Sequence, residues 1–311
     1  MSAFLSFDEA RPLLRPMPIG SVQLEVRKLG MRAVGAPASA IPVPVVVAGE
    51  LGTVVVVRSR DETYALGQAA LDEWGMTIAQ LHEIAVDNVQ TSGWQSTTHE
   101  HGVVLVRGFD LVAAALHRRD LLDRLGIEGD PVVLMPSVHE MLVFSATSVE
   151  QQVAAAAAAI DMLYATTTLG TVVPVVRRDG GWQVFEWPAQ VRPAAGNLVR
   201  HWKQAIYTTQ LPILRDYMAA SRSSLVPGDI GIANSADGSL LLMAVVTEAT
   251  PVALPEAEWG ALAPLSSPPL TIAWSDFVAL AGDRLKPVGV TPQRYYLTSF
   301  PTGEELEALR P

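Results

Sequence analysis

The first half of the chain alternates apolar, β-branched runs with stretches in which apolar residues recur every three or four positions. Val43 to Val47 and Thr53 to Arg58 flank a Gly-Glu-Leu-Gly turn, which predicts a hairpin in a largely buried sheet. Thr77 and Gln80 form a capping box ahead of a helical apolar repeat. The repeat predicts an amphipathic helix over Ile78 to Gln90.

The same periodicities continue to Trp187. A strand is predicted over Val103 to Val106, and Asp110 is predicted to cap a helix that ends near Leu125. Ser148 is predicted to cap the next helix, which is rich in alanine. The apolar stripe of that helix is Val153, Ala157, Ile160 and Tyr164. The other predicted strands of this half are Val132 to Met135, Met141 to Ser145, Thr171 to Val176 and Trp182 to Trp187.

The second half has a less regular pattern. Asn197 is predicted to cap a helix that stops before Pro212, because proline lacks the amide donor that a helix interior needs. Further elements are predicted in chain order, namely the hairpin of Ile230 to Ala233 with Leu240 to Thr247, a helix near Ser275 to Ala281, strands near Leu285 to Val290 and Arg294 to Ser299, and a helix from Thr302.

Three segments rich in proline and glycine are predicted to be connections: Gly30 to Pro44, Trp187 to Gly196, and Pro251 to Pro269. A chain of 311 residues exceeds the size at which one core usually keeps growing, so two domains are expected. The second connection predicts a boundary between residues 1–190 and residues 197–311. The fold class is α+β, with mixed or antiparallel sheets covered by amphipathic helices.

Composition and charge exclude several classes of partner. The formal charge is -10 and the basic residues are scattered, so nothing resembles a phosphate-binding stripe and nucleic acid is not expected as a partner. There is no cysteine, which removes disulfides and thiolate metal sites. No stretch has the roughly 20 strongly apolar residues of a membrane span. Asp8 and Glu9 stand where a signal peptide would be basic, so a soluble, cytoplasmic protein is predicted.

The stretch from about Val45 to Glu186 resembles the YtpQ family of bacterial proteins of unknown function. The resemblance implies an intracellular α+β domain and carries no activity. Where the family usually has an acidic residue shortly after a proline, this chain offers only Glu140, four residues after Pro136. The residues that carry the likeness are Tyr64, Leu71, Trp74, Gly75, Thr77, Leu81, His82, Ala85, Asn88, Gly129, Asp130, Pro136, Leu142, Val173, Pro174, Asp179 and Gly180.

The strongest polar constellation is His99-Glu100-His101 at the entry to a predicted strand. Residues two apart on a strand share a face, so His99 and His101, completed by His117, would form a divalent metal site. The alternative is that both histidines are solvated at a junction between loop and strand. No GxGxxG, P-loop or Gly-x-Ser-x-Gly motif is present, so no cofactor and no catalytic residue is predicted.

Three functions remain open from the sequence. The leading hypothesis is a non-enzymatic protein-interaction module, an adaptor or immunity-type protein that binds another protein through its second half. The alternatives are a metal-dependent hydrolase that uses the His-x-His site and a small-molecule-binding protein with a pocket between its halves. Whether the chain forms a homo-oligomer is also open. The predicted interaction residues are Trp202, Tyr217, Trp259, Trp274, Tyr295 and Tyr296.

Overall fold

The chain forms an α+β fold, which confirms the predicted fold class. The computed structural model describes residues 5–60, 62–90, 95–166, 168–234 and 240–309. The α-helices in this part of the chain are α1 Phe7–Ala10, α2 Ser21–Ala33, α3 Gln68–Trp74, α4 Ile78–Asp87, α5 Phe109–His117, α6 Arg119–Asp123, α7 Val149–Ala165, α8 Arg192–Ala220, α9 Trp274–Ala281 and α10 Gly303–Glu307.

Within the described ranges, the strands form four sheets that are antiparallel apart from two parallel pairs. They are β1 Leu14–Gly20, β2 Pro44–Ala48, β3 Leu51–Arg58, β4 Thr63–Ala65, β5 Gln95–Thr98, β6 Val104–Arg107, β7 Pro131–Ser137, β8 Glu140–Ser145, β9 Leu169–Arg178, β10 Gly181–Val184, β11 Val226–Pro227, β12 Ile230–Asn234, β13 Leu240–Thr247, β14 Val252–Pro255, β15 Trp259–Ala263, β16 Leu270–Ala273, β17 Leu285–Pro287 and β18 Arg294–Leu297.

Two compact units divide the chain. The first is Met1–Leu24 with Pro37–Val199, and the second is Glu25–Ala36 with Arg200–Pro311. Helices α2 and α8 each contribute residues to both units. The units differ from the predicted division in assigning residues 25–36 to the second unit. That residues 1–190 and 197–311 are separate domains stays a prediction.

In the first unit, one sheet has the order β1-β3-β2 with β4 also paired to β3. Strand β3 is buried on both faces from Leu51 to Val57, because successive side chains point to opposite sides of the strand. Val54 and Val56 pack with β1 residues, whereas Val55 and Val57 pack against α4. The predicted hairpin of β2 and β3 is confirmed.

The second sheet of the first unit has the order β10-β9-β7-β8-β6-β5. Helices α5 and α6 pack with the apolar side chains of β6 to β9, and α7 packs on β7 and β8. The predicted hairpin of β9 and β10 is confirmed. In the second unit the sheets have the orders β11-β14-β18-β17 and β12-β13-β15-β16.

Strand β1 and helix α2 were not predicted. Within β1, Pro16 and Pro18 argue against a strand. These prolines are two residues apart on an edge strand, so the amide positions that they lack face the same side of the chain. Helix α2 continues to Ala33, into the segment predicted as a connection.

The predicted helix from Asp110 to Leu125 is two helices. Gly108, not Asp110, is the N-cap of α5, and the extended backbone of Arg118 separates α5 from α6. The indole Nε1 of Trp182 donates to the carbonyl of Leu116 at 2.6 Å. This bond supplies a partner to a carbonyl that the broken helix no longer satisfies.

The buried side of α7 is not the predicted stripe. Ser148 is the N-cap as predicted, accepting from the Gln151 amide. The buried residues, however, are Gln152, Ala155, Ala156, Ala159, Met162 and Leu163. Alanines face the sheet because small side chains allow close approach, and Gln152 donates to the Ala146 carbonyl at 2.9 Å.

The prolines of the second half do not interrupt structure where predicted. Helix α8 begins at Arg192 and runs through Pro212, so neither the cap at Asn197 nor the stop is correct. Proline costs about 3 kcal/mol inside a helix, but Leu214 and Met218 beyond it are buried and hold the last turns. The predicted connection from Pro251 to Pro269 contains β14 and β15, with prolines before, at the end of and after these strands.

Candidate functional site

Two histidine rings meet inside the first unit. His82 of α4 and His117 at the end of α5 have ring centroids 4.2 Å apart in an edge-to-face arrangement. The hydroxyl of Thr53 on β3 lies 2.8 Å from Nε2 of His82 and 3.3 Å from Nε2 of His117. Thr53 is fully buried, His82 is 7% exposed and His117 is half-buried, so the two rings share one buried hydroxyl.

The sequence places these three side chains for clear local reasons. Thr53 has the same parity on β3 as Val55 and Val57, so it points to the side of the strand that α4 covers. His82 follows the buried Leu81 on α4. His117 is the last residue of α5, where the backbone turns away at Arg118.

Arg177 of β9 and Trp182 of β10 border the histidine pair. The guanidinium carbon of Arg177 lies 5.8 Å from the Trp182 ring centroid, a cation–π distance. Nη1 of Arg177 is buried and has no hydrogen-bond partner among the described residues. The cluster thus contains a cation next to two imidazoles.

The electrostatics of the cluster favour neutral rings. Burial lowers the pKa of His82. Burial, followed by the neighbouring His82 and Arg177, lowers the pKa of His117 to about 4. The C-terminal end of a helix stabilises a protonated histidine, but desolvation outweighs this effect at His117. Both rings are therefore neutral near neutral pH.

Neutral imidazoles can satisfy one hydroxyl in complementary ways. When the two rings carry opposite tautomers, the Thr53 hydroxyl can donate to Nε2 of one ring and accept from the protonated Nε2 of the other. A fully buried hydroxyl is not placed to attack a substrate arriving from solvent. The arrangement therefore makes the contact of both rings with β3 depend on their protonation.

The residues predicted as a metal site are not brought together. His99 and His101 do not share a strand face, because β5 ends at Thr98 and His101 has left-handed backbone angles in a short 3-10 turn. Both are exposed, whereas His117 contacts His82. In the part of the chain that the structure describes, no group of three or more His, Cys, Asp or Glu side chains is placed to hold a metal ion.

The predicted interaction aromatics are not solvent-exposed. Trp202 is buried, and the other five are half-buried. Trp274 packs on Phe277 and Tyr295, with ring centroids 5.0 Å and 6.4 Å apart. Trp274 and Tyr217 pack against apolar clusters of the second unit. The half-buried ones are Tyr217, Trp259, Trp274, Tyr295 and Tyr296.

Helix α7 has an exposed apolar surface beside its buried side. We call Val149, Val153, Ala157 and Tyr164 the outward face of α7, because their spacing places them within one narrow arc of the helix. Val149 is 39% exposed, Val153 40% and Tyr164 67%. This face includes most of the stripe that the sequence predicted as buried.

The second unit buries a charge in a different network. Arg294 of β18 is fully buried and donates from Nε to Oε1 of Gln210 at 2.6 Å. Its other nitrogens donate to the carbonyls of Gly228, Ala253 and Tyr207. Burial lowers the pKa of Arg294 only to about 10, so the side chain stays charged. The network joins α8 to two neighbouring strands and to the turn before β12.

A small cavity of about 160 Å³ lies in the second unit, between β13, β14 and β18. Its lining includes the apolar Leu254, Leu297 and Phe300 as well as the polar Thr247, Glu248 and Thr298. Ligand sites usually measure about 300–1,000 Å³, so this cavity accommodates a group the size of one side chain. The predicted pocket between the halves stays a prediction.

Comparisons with protein-family models, with curated proteins and with solved structures gave no match to this chain. The resemblance to the YtpQ family therefore stays a prediction. Among the described residues, no helix combines the length and the apolar character needed to cross a bilayer.

Sequence reasoning missed Thr53, His82 and Arg177. The available signal was a lone hydroxyl inside a run of buried apolar residues, Leu51 to Val57, because a buried polar group needs a partner. A second signal was a histidine directly after the apolar Leu81. Neither signal identifies the partner, which comes from another element.

Proposed function

We propose that this chain is a non-enzymatic protein-interaction module, of the adaptor or immunity type, that binds another protein through the outward face of α7. The observation that carries the proposal is the exposure of Val153 and Tyr164 on one face of a regular helix. Contiguous exposed apolar surface is a common mark of a protein-binding site. The aromatic residues of the second half support this role less, because they are buried or half-buried.

The charges beside this face indicate the chemistry of the partner. Glu150 and Asp161 border one side of the outward face, and α7 carries no basic residue. A partner segment with an apolar stripe flanked by Lys or Arg would match both features, because complementary charges fix the register of an interface. An amphipathic helix laid along α7 is the simplest such segment.

The experiment compares three forms of the full chain: unchanged, Val153→Glu and Val278→Glu. Val278 on α9 is a matched control because it is 42% exposed against 40% for Val153. We expect affinity purification from the native cells to recover one stoichiometric partner with the unchanged chain and with Val278→Glu. Val153→Glu is expected to lose it, since a charge at the centre of an apolar interface costs several kcal/mol, roughly a hundredfold or more in affinity.

Cross-linking followed by mass spectrometry then locates the contact. Cross-links from the α7 region to a partner segment with apolar and basic residues would support the proposal. Recovery of the chain alone under gentle conditions, or retention of the partner by Val153→Glu, would overturn it.

A further inference from the structure

The histidine pair occupies a junction of several elements of the first unit. Thr53 comes from β3, His82 from α4 and His117 from α5. One hydroxyl at 2.8 Å and 3.3 Å from the two Nε2 atoms holds both helices to the strand. The pair therefore links α4 and α5 to the sheet through polar contacts whose strength depends on protonation.

A proton added to this pair has no counter-charge at hand. Among the described residues, neither ring has a carboxylate at hydrogen-bond or ion-pair distance, and the adjacent cation is Arg177. The acidic residues of α4, Glu83 and Asp87, are exposed. The acidic residue of α5, Asp110, lies at the other end of the helix and forms ion pairs there.

Asp110 forms ion pairs with Arg58 at 3.0 Å and Arg15 at 3.5 Å, which places the charges of β1 and β3 away from His117. On the remaining neighbouring strands, Arg178 of β9 pairs with Asp130 at 2.8 Å. A charge on either imidazole would thus face the other ring and Arg177 in a desolvated site.

Protonation also breaks the hydrogen-bond complementarity of the pair. When both rings are neutral and carry opposite tautomers, the Thr53 hydroxyl can donate to one ring and accept from the other. Once the accepting ring gains a proton, both Nε2 atoms are donors and the hydroxyl proton of Thr53 loses its acceptor. The charge repulsion and the lost acceptor of Thr53 both weaken the contact of the two rings with β3.

We propose that Thr53, His82 and His117 form an acid-sensitive latch, which holds α4 and the end of α5 on β3 at neutral pH and releases them when the pair is protonated. This goes beyond binding at α7, and it needs no partner to be tested. The release would expose apolar positions of α4 and α5, including Leu81, Ala85 and Leu116, which the latch keeps buried.

The test is hydrogen exchange of the full chain at neutral pH and at about pH 4.5, after correction for intrinsic exchange rates. We expect peptides from α4 and α5 to exchange about tenfold or more faster at the lower pH, because one pKa unit of difference corresponds to a tenfold change in opening. Peptides from β18, around Arg294, should change far less.

Three variants separate the latch from a purely structural role. His117→Gln should lose much of the acid response. His99→Gln, at an exposed histidine, should keep it. Arg177→Met should move the titration of the His117 ring, followed by NMR, to higher pH, because it removes a neighbouring cation.

Titration of the His117 ring near its ordinary value in the unchanged chain would overturn the proposal, as would equal acid responses in His117→Gln and the unchanged chain. If His117→Gln does not fold, the NMR titrations of the unchanged chain and of Arg177→Met still decide it. An unshifted ring in Arg177→Met would count against the electrostatic basis of the latch.

Discussion

Arg294 in the second unit and the histidine pair in the first unit are both buried, but they are satisfied differently. The guanidinium of Arg294 donates to four acceptors on three segments of the chain, namely α8, β14 and the turn before β12. The rings of His82 and His117 share one hydroxyl, and the nearby Arg177 has a nitrogen with no partner in the described residues. A group that is charged at all working pH values can be enclosed permanently by carbonyls. An imidazole pair without a carboxylate partner is enclosed favourably only while both rings are neutral.

Removing Arg294 should have the largest effect. Arg294→Met would leave the carbonyls of Gly228, Ala253 and Tyr207 without this donor, while relieving part of the cost of burying a charge. We expect a loss of about 4 kcal/mol in the free energy of unfolding of the second unit, measured by urea denaturation followed with hydrogen exchange.

Arg215→Met on the exposed surface of α8 is the control, with an expected change within about 0.5 kcal/mol. Equal effects of the two substitutions would show that the Arg294 network does not hold the second unit together.

Acidification should have the next largest effect, through the histidine pair of the first unit. The pKa of His117 in the folded chain, about 4, lies below its ordinary value of 6.5. The unfolded chain therefore binds more protons between these values, so the stabilising contribution is present above pH 6.5 and is lost as the pH falls towards 4. The loss should reach about 3 kcal/mol at most.

Urea denaturation at intervals across this pH range measures the loss, and His82 adds to it in the same direction because burial also lowers its pKa. A free energy of unfolding for the first unit that stays constant through the range would contradict the assigned electrostatics.

Replacing the shared hydroxyl tests the contact itself. Thr53→Val keeps the shape of the side chain but leaves ring nitrogens of His82 and His117 without their partner. We expect a loss of about 2 kcal/mol at neutral pH in thermal or urea denaturation. Thr97→Val on the exposed strand β5 should change stability by less than about 0.5 kcal/mol. Similar losses at both threonines would mean that the hydroxyl at Thr53 has no special role.

The smallest expected effect concerns Tyr207, whose hydroxyl donates to the Gln293 carbonyl at 2.8 Å and accepts from the Glu256 amide at 3.2 Å. Tyr207→Phe should cost about 1 kcal/mol in the free energy of unfolding. The cost should not vary between about pH 5 and 8, because burial raises the pKa of Tyr207 to about 12 and Arg294 titrates near 10. A pH-dependent cost in that range would show that the network of Tyr207 and Arg294 is as sensitive to pH as the histidine pair.

Much of the fold follows from local patterns. The Thr77 capping box and the start of α4 are as predicted, and so are the hairpins of β2 with β3 and β9 with β10. These elements depend on contacts between residues close in sequence, which periodicity and turn chemistry report directly. Strand β1 was missed because proline usually argues against a strand, whereas an edge strand such as β1, paired to β3, tolerates it.

The candidate site was much harder to predict. His117 was singled out for a metal site with His99 and His101, yet its neighbour in space is His82. The outward face of α7 was predicted as the buried stripe, because a helix rich in alanine has apolar residues on both sides and periodicity alone does not choose between them.

The sequence by itself determined the start of α4, the hairpins of β2 with β3 and β9 with β10, the α+β class and the absence of disulfide or thiolate chemistry. Only the tertiary structure decided which side of α7 is buried, that Pro212 lies within a helix, and that Thr53, His82 and His117 meet. The reason is physical: helical and strand periodicities act over a few residues, whereas a buried polar group is satisfied by partners that the chain brings from distant positions.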